Sequence, residues 1–251
     1  MVKELFQRGE RLLGTDVMNT IAQKRVIVFG VGGVGSWCAE GLIRSGIHYL
    51  TIVDSDCVSA TNINRQLMAT TRTIGKPKVE VLKERLLDIN PDAEIIAVRE
   101  VYSENNCEKF NLSDYDYVID AIDSLKDKSL LILKAAESGA KLFSSMGAAL
   151  KLNPLKVQVA EFWNVKGCPL GAALRRKFKK SKMFPKRKFK CVYSEELLEN
   201  VGDSPEVDAN STWDVSKAQI NGSLVHITAI FGFTLSGLVI QDVVDTQKTK
   251  G

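Results

Sequence analysis

Four groups of residues have types and spacings suited to handling a polyphosphate. The first is Gly30-x-Gly32-Gly33-x-Gly35, which follows the apolar run Val26 to Phe29 and precedes helix-forming residues. Glycines at such a junction let the backbone turn tightly and approach an anion without a Cβ in the way. They also present the amides of a helix N-terminus to that anion. The second is Asp54, nineteen residues beyond Gly35 at the end of the next apolar run, placed to accept from a ribose hydroxyl. The third is a pair of cations, Arg65 in "TNINRQ" and Lys78 in "GKPK". Read singly, each has a simpler explanation: a surface salt bridge for Arg65, a solvated first-turn lysine for Lys78. Beside a phosphate loop, two cations suit a triphosphate whose charge must be neutralised while a bond to phosphorus breaks. The fourth is "YVIDAID", which puts Asp120 and Asp123 at the end of an apolar run. A carboxylate facing a triphosphate is repelled unless a divalent cation lies between them, and Mg²⁺ takes one or two carboxylates plus phosphate oxygens. Asp123 is the expected metal ligand, with capping of the next helix as the alternative. Asp120 is a supporting carboxylate or a structural one.

These groups can meet only if the elements between them fold into one sheet. Apolar runs at 25–30, 49–54, 94–98, 117–123 and 141–145 read as strands. Between them lie helical patterns. Val34 to Gly46 has Gly46 as its stop, Pro77 to Asn90 carries Val81, Leu82, Arg85 and Ile89 in register, and a third runs from Leu125 to Ala140. Asp16 to Gln23 reads as a short helix capped by Asp16. This alternation predicts an α/β fold, a Rossmann-like doubly wound and mainly parallel sheet. Leu155 to Phe162 alternates like an antiparallel edge extension, and about Ser223 to Asp245 reads as a C-terminal covering helix. Residues 194–222 carry no assignable pattern. In such folds ligands bind at the carboxyl ends of the strands, where all four groups fall.

Composition narrows the function classes. The 251 residues suffice for one well-buried core. The five cysteines form no C-x-x-C pair, so neither a zinc knuckle nor a redox pair is signalled. Their odd number and the lack of a signal peptide point to the reducing cytoplasm. Cys38 reads as helix packing, and Cys57 and Cys168 have no special context. Cys191 has basic neighbours, Lys188 and Lys190, that favour a thiolate, although a structural or substrate-lining role suits it better. The histidines, His48 and His226, give no support to a Ser-His-Asp hydrolase. "HITAIFGFTLSGLVI", His226 to Ile240, is shorter than the ~18 apolar residues of a span, so it reads as a buried helix. The net charge of +4 conceals an asymmetry. Arg175 to Lys190 holds ten basic residues and no acid, leaving 24 basic against 30 acidic elsewhere. With Phe178, Phe184 and Phe189 interleaved, that block could hold RNA phosphates and stack a base. In isolation it reads first as a solvated loop.

Taken in order, Gly30 to Gly35, Asp54-x-Asp56, Asn62-x-Asn64-Arg65-Gln66, Gly75-x-x-Lys78 and Asp120-Ala-Ile-Asp123 resemble a known series. It is that of the adenylating superfamily of ubiquitin-activating enzymes and their bacterial relatives in molybdopterin and thiamine synthesis, over roughly residues 8 to 145. The resemblance implies ATP bound by Gly30, Gly32, Gly33, Gly35 and Asp54. It implies phosphate contacts from Arg65 and Lys78, and Mg²⁺ on Asp123. Asp56, Asn62, Asn64 and Gln66 complete the nucleotide site. It further implies a homodimer in which Arg8, with Arg11 as runner-up, reaches the partner's ATP. The implied catalytic set is Arg8, Arg65, Lys78 and Asp123. The chain lacks the paired C-x-x-C motifs of the sulfur-carrier activators and is too short for the extra domains of the eukaryotic enzymes.

"GVGGVGSWCAEGLIRSGI", "VIDAIDS", the basic block and "KCVYSEE" are instead similar to the branch of tRNA threonylcarbamoyladenosine dehydratases, almost end to end. That likeness implies adenylation of a threonyl carboxylate on tRNA, then ring closure with release of AMP and pyrophosphate. It places Arg175, Arg176, Lys177, Lys179, Lys180 and Cys191 on the substrate side and requires no catalytic cysteine. A monovalent cation and a sulfur-transfer system of the cysteine desulfurase type are further candidate partners. The implied organisation is a single adenylating domain over 1–251: an arm at 1–24, a nucleotide-binding core at 25–165, a basic substrate-side insertion at 166–222 and a helix at 223–251. Three alternatives stand beside it. A sulfur-carrier adenylyltransferase would need a partner with a Gly-Gly tail. An NAD-dependent oxidoreductase is disfavoured by Arg65 and Lys78. An RNA-binding module with a vestigial nucleotide fold is disfavoured by intact Asp54, Arg65, Lys78 and Asp123.

Overall fold

The computed structural model describes residues 4–202 and 221–249, so most of the unassigned 194–222 stretch lies outside the described residues. The expected runs become β1 (Arg25–Phe29), β2 (Tyr49–Val53), β3 (Glu94–Val98), β4 (Tyr117–Asp120) and β5 (Lys141–Ser145). With β6 (Val157–Glu161) and β7 (Lys190–Ser194) they build one seven-stranded sheet in the order β3-β2-β1-β4-β5-β7-β6. Pairing is parallel from β3 to β7, and β6 runs antiparallel to β7 as the edge. The antiparallel edge expected at 155–162 is therefore present. Its partner β7 was not foreseen, because its three apolar residues, Cys191 to Tyr193, are a short run between the lysine-rich block and the acids Glu195 and Glu196.

Alternation along the strands divides the core between the two faces of the sheet. Val26 and Val28 of β1 face a cluster with Leu42, Leu82, Phe231 and Leu235. Ile27 and Phe29 face the other, with Leu131, Phe162, Leu174 and Phe178. The first face is covered by α2 (Thr15–Ala22), α3 (Gly35–Arg44), α4 (Lys78–Ile89) and α7 (Val225–Lys248). The second is covered by α5 (Leu125–Ser138) and α6 (Pro169–Ser181). A short α1 (Gln7–Leu13) precedes them and packs on α2.

Several local expectations are corrected. Gly14, not Asp16, caps α2, and Asp16 lies in its first turn, where a negative charge suits the helix dipole. Val79, Leu82 and Leu86 form the buried stripe of α4, while Arg85 faces out and pairs with Glu40 at 2.7 Å. The basic block is not one loop. Its first part completes α6, whose buried stripe is Gly171, Leu174 and Phe178, and its last residue opens β7. Phe178 and Phe189 are core residues; of the three interleaved phenylalanines, Phe184 is the exposed one. By length and composition α7 could cross a membrane, but more than half of its most apolar window is buried within the fold.

Candidate active site

The chain reverses direction across the sheet between β1 and β4, and the groups singled out from the sequence gather at the carboxyl ends of these strands. Gly30 leaves β1 at φ +82°, and a Cβ there would lie 2.8 Å from the Ala121 carbonyl oxygen. A Cβ on Gly35 would lie 1.8 Å from the Gly30 carbonyl oxygen. The loop is therefore folded back on itself with no room for side chains at these two positions. Ser36 ties it down, its Oγ donating to the Gly32 carbonyl at 2.6 Å. The N-cap residue of α3, Val34, offers no side chain to the first helical amides, which is the arrangement that receives anions. Gly35→Ala should abolish measurable ATP binding and lower the melting temperature by several degrees, since overpacking costs about 1–3 kcal/mol or more. An ATP titration and a thermal melt of the variant check both.

The turn after β2 supplies the acid and both cations. Asp54 accepts from the Val31 amide at 2.8 Å and the Asp56 amide at 2.9 Å, stapling the glycine loop to this turn. A carboxylate has lone pairs left for a ribose hydroxyl. Burial pushes its pKa up, against the opposing pull of the Lys78 charge and the two amides. Lys78 opens α4 and is 5 % exposed, so it is not the solvated first-turn lysine of the simpler reading. Its Nζ donates to Asp56 Oδ2 at 2.7 Å. Arg65 is held by its main chain, whose carbonyl accepts from Trp37 Nε1 at 3.1 Å. Its guanidinium donates to the Thr61 carbonyl and to Asn64 Oδ1, each at 2.9 Å. Burial pulls the Arg65 pKa down, and the nearby Asp123 carboxylate pushes it up. The two charges expected at the phosphate end thus lie near enough to act on each other, and both line one cleft.

β4 ends at the other acids. Asp120 is fully buried and pairs with the equally buried Lys128 of α5 at 2.8 Å. Ser144 Oγ donates to the same carboxylate at 2.6 Å. The Ile122 amide donates to Asp120 Oδ1 at 3.2 Å, and Lys128 Nζ donates to the Ile122 carbonyl at 2.9 Å. Of its two proposed roles Asp120 thus takes the structural one: it accepts from the Ile122 amide while its partner Lys128 holds the Ile122 carbonyl. That carbonyl belongs to the peptide that leads into Asp123.

A cleft of about 910 Å³ opens above these loops. Gly30, Gly32, Gly33, Asp54, Asp56, Arg65, Gln66, Lys78 and Asp123 line it together. Two buried side-chain atoms on its walls, Gln66 Oε1 and Tyr102 Oη, have no hydrogen-bond partner among the described residues. Leaving such groups unpaired costs about 1–3 kcal/mol each, so the wall fits a polar ligand that would satisfy them. The far wall is built by Ser145 to Lys151, Pro169 and Leu170, with Leu197, Asn221 and Ser223 at the rim. Glu196 clasps this rim, its Oε2 accepting from the Leu152 and Asn153 amides at 2.6 and 2.8 Å.

A family model described as the ThiF family matches residues 6–245. The chain belongs to the ThiF family. This ThiF-family chain is 35% identical over 240 residues to a Bacillus subtilis tRNA threonylcarbamoyladenosine dehydratase, covering 95% of the chain and 94% of that protein. A crystal structure of the Escherichia coli tRNA N6-threonylcarbamoyladenosine dehydratase in complex with ATP superposes with a TM-score of 0.86 at 30% identity, covering 100% of both chains. An E. coli molybdopterin-synthase adenylyltransferase is 29% identical but covers only 65% of the chain and 63% of its own length. The expected family and its doubly wound fold are thus both found.

Not every expected site residue of the ThiF-family chain lies at the cleft. Asn62 accepts from the Ser59 amide at 3.1 Å, and Asn64 donates to the Ser223 carbonyl at 2.9 Å. Neither lines the cleft; both hold the loop that carries Arg65. Arg8 and Arg11 are exposed on α1, away from the cleft of their own chain. Cys191 is fully buried on β7, and burial pushes its thiol well up, so the expected bias to thiolate is overturned. Its electrostatic neighbours are Lys128 and Asp120 rather than Lys188 and Lys190. Arg175, Arg176, Lys177, Lys179 and Lys180 extend along α6, which starts at the cleft and leads away from it. Lys128, Tyr102 and the far wall were not anticipated. For Lys128 no local signal existed, because its pairing with Asp120 depends on how α5 packs against the end of β4.

Proposed function

We propose that the chain catalyses the ATP-dependent dehydration and cyclisation of N6-threonylcarbamoyladenosine in the anticodon loop of tRNA. The observation that carries this reading is the convergence of the glycine loop, Arg65, Lys78 and Asp123 on one cleft with a separate far wall. A threonyl carboxylate is a poor electrophile. Its oxygen attacks the α-phosphorus of ATP, the bridging bond to the β-phosphate breaks, and pyrophosphate leaves. The ureido group of the same modification then attacks the activated carbonyl, and the carbon–oxygen bond to AMP breaks as the ring closes. Water is lost in net terms.

The first step asks for charge neutralisation and in-line placement, which the loop amides, Arg65 and Lys78 supply. The second is intramolecular and gains from proximity. Asp123, a hard oxygen donor beside Arg65, fits Mg²⁺ shared with phosphate oxygens. Such an ion would neutralise charge on the polyphosphate. Arg8 fits a trans contribution in a homodimer, since it is exposed and does not line its own cleft. The sulfur-carrier adenylyltransferase reading is supported by the nucleotide half alone.

Pyrophosphate exchange into ATP tests the reading in three arms: with tRNA carrying threonylcarbamoyladenosine, with a Gly-Gly-tailed carrier protein, and with neither. Exchange and AMP release with the tRNA alone are expected; exchange with the carrier alone would replace this reading by the second. Charge reversal at Arg176, Lys179 and Lys180 should weaken tRNA capture and flatten its salt dependence while ATP affinity stays the same. An unchanged salt slope would remove the basic block from the interface.

A further inference from the structure

An aromatic column runs from the core behind α6 to the surface. Phe162 meets Phe178 with ring centroids 5.8 Å apart and stacks on Phe189 at 5.0 Å. Phe162 also contacts Trp163 edge-on at 5.1 Å, and Trp163 contacts Phe184 at 6.1 Å. The inner three rings are buried, whereas Trp163 is 38% exposed, Phe184 50% and the adjoining Met183 56%. The outer rings are therefore not loose surface side chains. Trp163 is braced by Phe162 and by its own backbone, whose amide donates to Glu161 Oε2 at 3.0 Å. Phe184 lies in a short segment pinned at its far end. There Lys186 pairs with Glu137 at 3.0 Å, and Arg187 donates to the Gly139 carbonyl at 2.9 Å.

The surroundings say what this surface meets. Lys179, Lys180, Lys182 and Lys188 are exposed in the same segment, and no acid lies between Arg175 and Lys190. Apolar rings among exposed cations match a polyanion that also carries flat, unpaired faces. Single-stranded nucleic acid combines the two: its phosphates take the lysines and its bases stack on aromatic side chains. The distance is also suitable. Pro169 and Leu170, at the start of α6, line the cleft, and thirteen helical residues span roughly 20 Å. An RNA whose modified adenosine enters the cleft would have neighbouring loop nucleotides over Trp163 and Phe184.

We infer that Trp163 and Phe184 form a preorganised platform on which an unpaired base of the RNA substrate stacks. The inference rests on the tRNA reading above and adds a base-binding subsite to it. The platform supplies contact without charge, whereas the lysines around it supply charge without shape. Rings already fixed by packing lose little freedom when a base settles on them.

The test uses the full chain, an unmodified anticodon stem-loop RNA and a blunt RNA duplex of equal phosphate number, titrated over a series of salt concentrations. Trp163→Ala and Phe184→Ala should each weaken stem-loop binding by roughly tenfold, leave duplex binding alone, and leave the slope of affinity against salt unchanged. Trp163→Phe should restore most of the loss. Lys179→Ala with Lys180→Ala should behave oppositely, flattening the slope for both RNAs. Retained ATP binding verifies the fold of each variant. Wild-type preference for the stem-loop with unaffected alanine variants would overturn the platform alone; a protein-docking role for the rings would give that result. Equal loss for stem-loop and duplex would also overturn it. If the wild-type chain does not prefer the stem-loop to the duplex, the platform fails, whereas the tRNA reading stands or falls with the pyrophosphate exchange assay on modified tRNA.

Discussion

Lys78→Ala and Asp123→Ala should each lower AMP formation at saturating tRNA by about 10²–10³-fold, the usual effect of removing one group that stabilises charge in a transition state. Affinity for tRNA should change little, because neither residue lies on the basic face of α6. The structure gives a reason to expect the Lys78 variant to remain folded. Its partner Asp56 keeps about a quarter of its side chain in solvent, so the orphaned carboxylate can rehydrate rather than stay buried and unpaired. The pairing also implies that Lys78 meets the phosphates without first being brought in from solvent. Asp56 already holds its Nζ at 2.7 Å beside the cleft. Single-turnover AMP release and tRNA filter binding on the same preparations separate the two quantities. Normal turnover in either variant would remove that residue from the chemistry.

The cleft was legible in the sequence wherever local backbone chemistry dictates the function. Gly35 is forced by a 1.8 Å contact to the Gly30 carbonyl oxygen five residues earlier and Gly30 by its φ of +82°, and such local constraints leave a pattern in the chain; the 2.8 Å contact of Gly30 to the Ala121 oxygen comes from the neighbouring strand. Asp54 and Lys78 follow directly from the ends of a strand and the start of a helix, so their positions could be counted. Residues that act through long-range packing left weaker traces. Asn62 and Asn64 match the motif as ligands, and the fold adds what the motif does not show, a bond from Asn62 to the turn and one from Asn64 to Ser223. Cys191 was read through its neighbours along the chain, Lys188 and Lys190. In a strand, however, neighbours across the sheet decide the environment, and there Cys191 sits level with Ser144. The basic block misled for the same reason. Helical periodicity turns Phe178 inward and leaves Lys179 and Lys180 outside, a distinction a count of charges cannot make. Trp163 lay outside the counted block altogether and joins it only through the aromatic column.

The buried pair of Asp120 and Lys128 should produce the largest stability effect. Lys128→Met keeps the length of the side chain but strands the Asp120 carboxylate, which retains Ser144 and the Ile122 amide but loses its counter-charge. Breaking such a pair from one side costs about 3–5 kcal/mol, a drop of roughly 10 °C in melting temperature for a chain of this size. Replacing both partners, as Asp120→Asn with Lys128→Met, removes the uncompensated charge and should recover most of that stability. It should not recover activity to the same degree, because the Lys128 bond to the Ile122 carbonyl, which anchors the peptide leading into Asp123, is still missing. The comparison of melting temperature with AMP formation across the two variants therefore distinguishes a pair that merely fills the core from one that aims a carboxylate. If the double variant regains full turnover together with its stability, the pair has no part in placing Asp123. If Lys128→Met melts like the wild type, Asp120 finds enough compensation in Ser144 and the Ile122 amide alone.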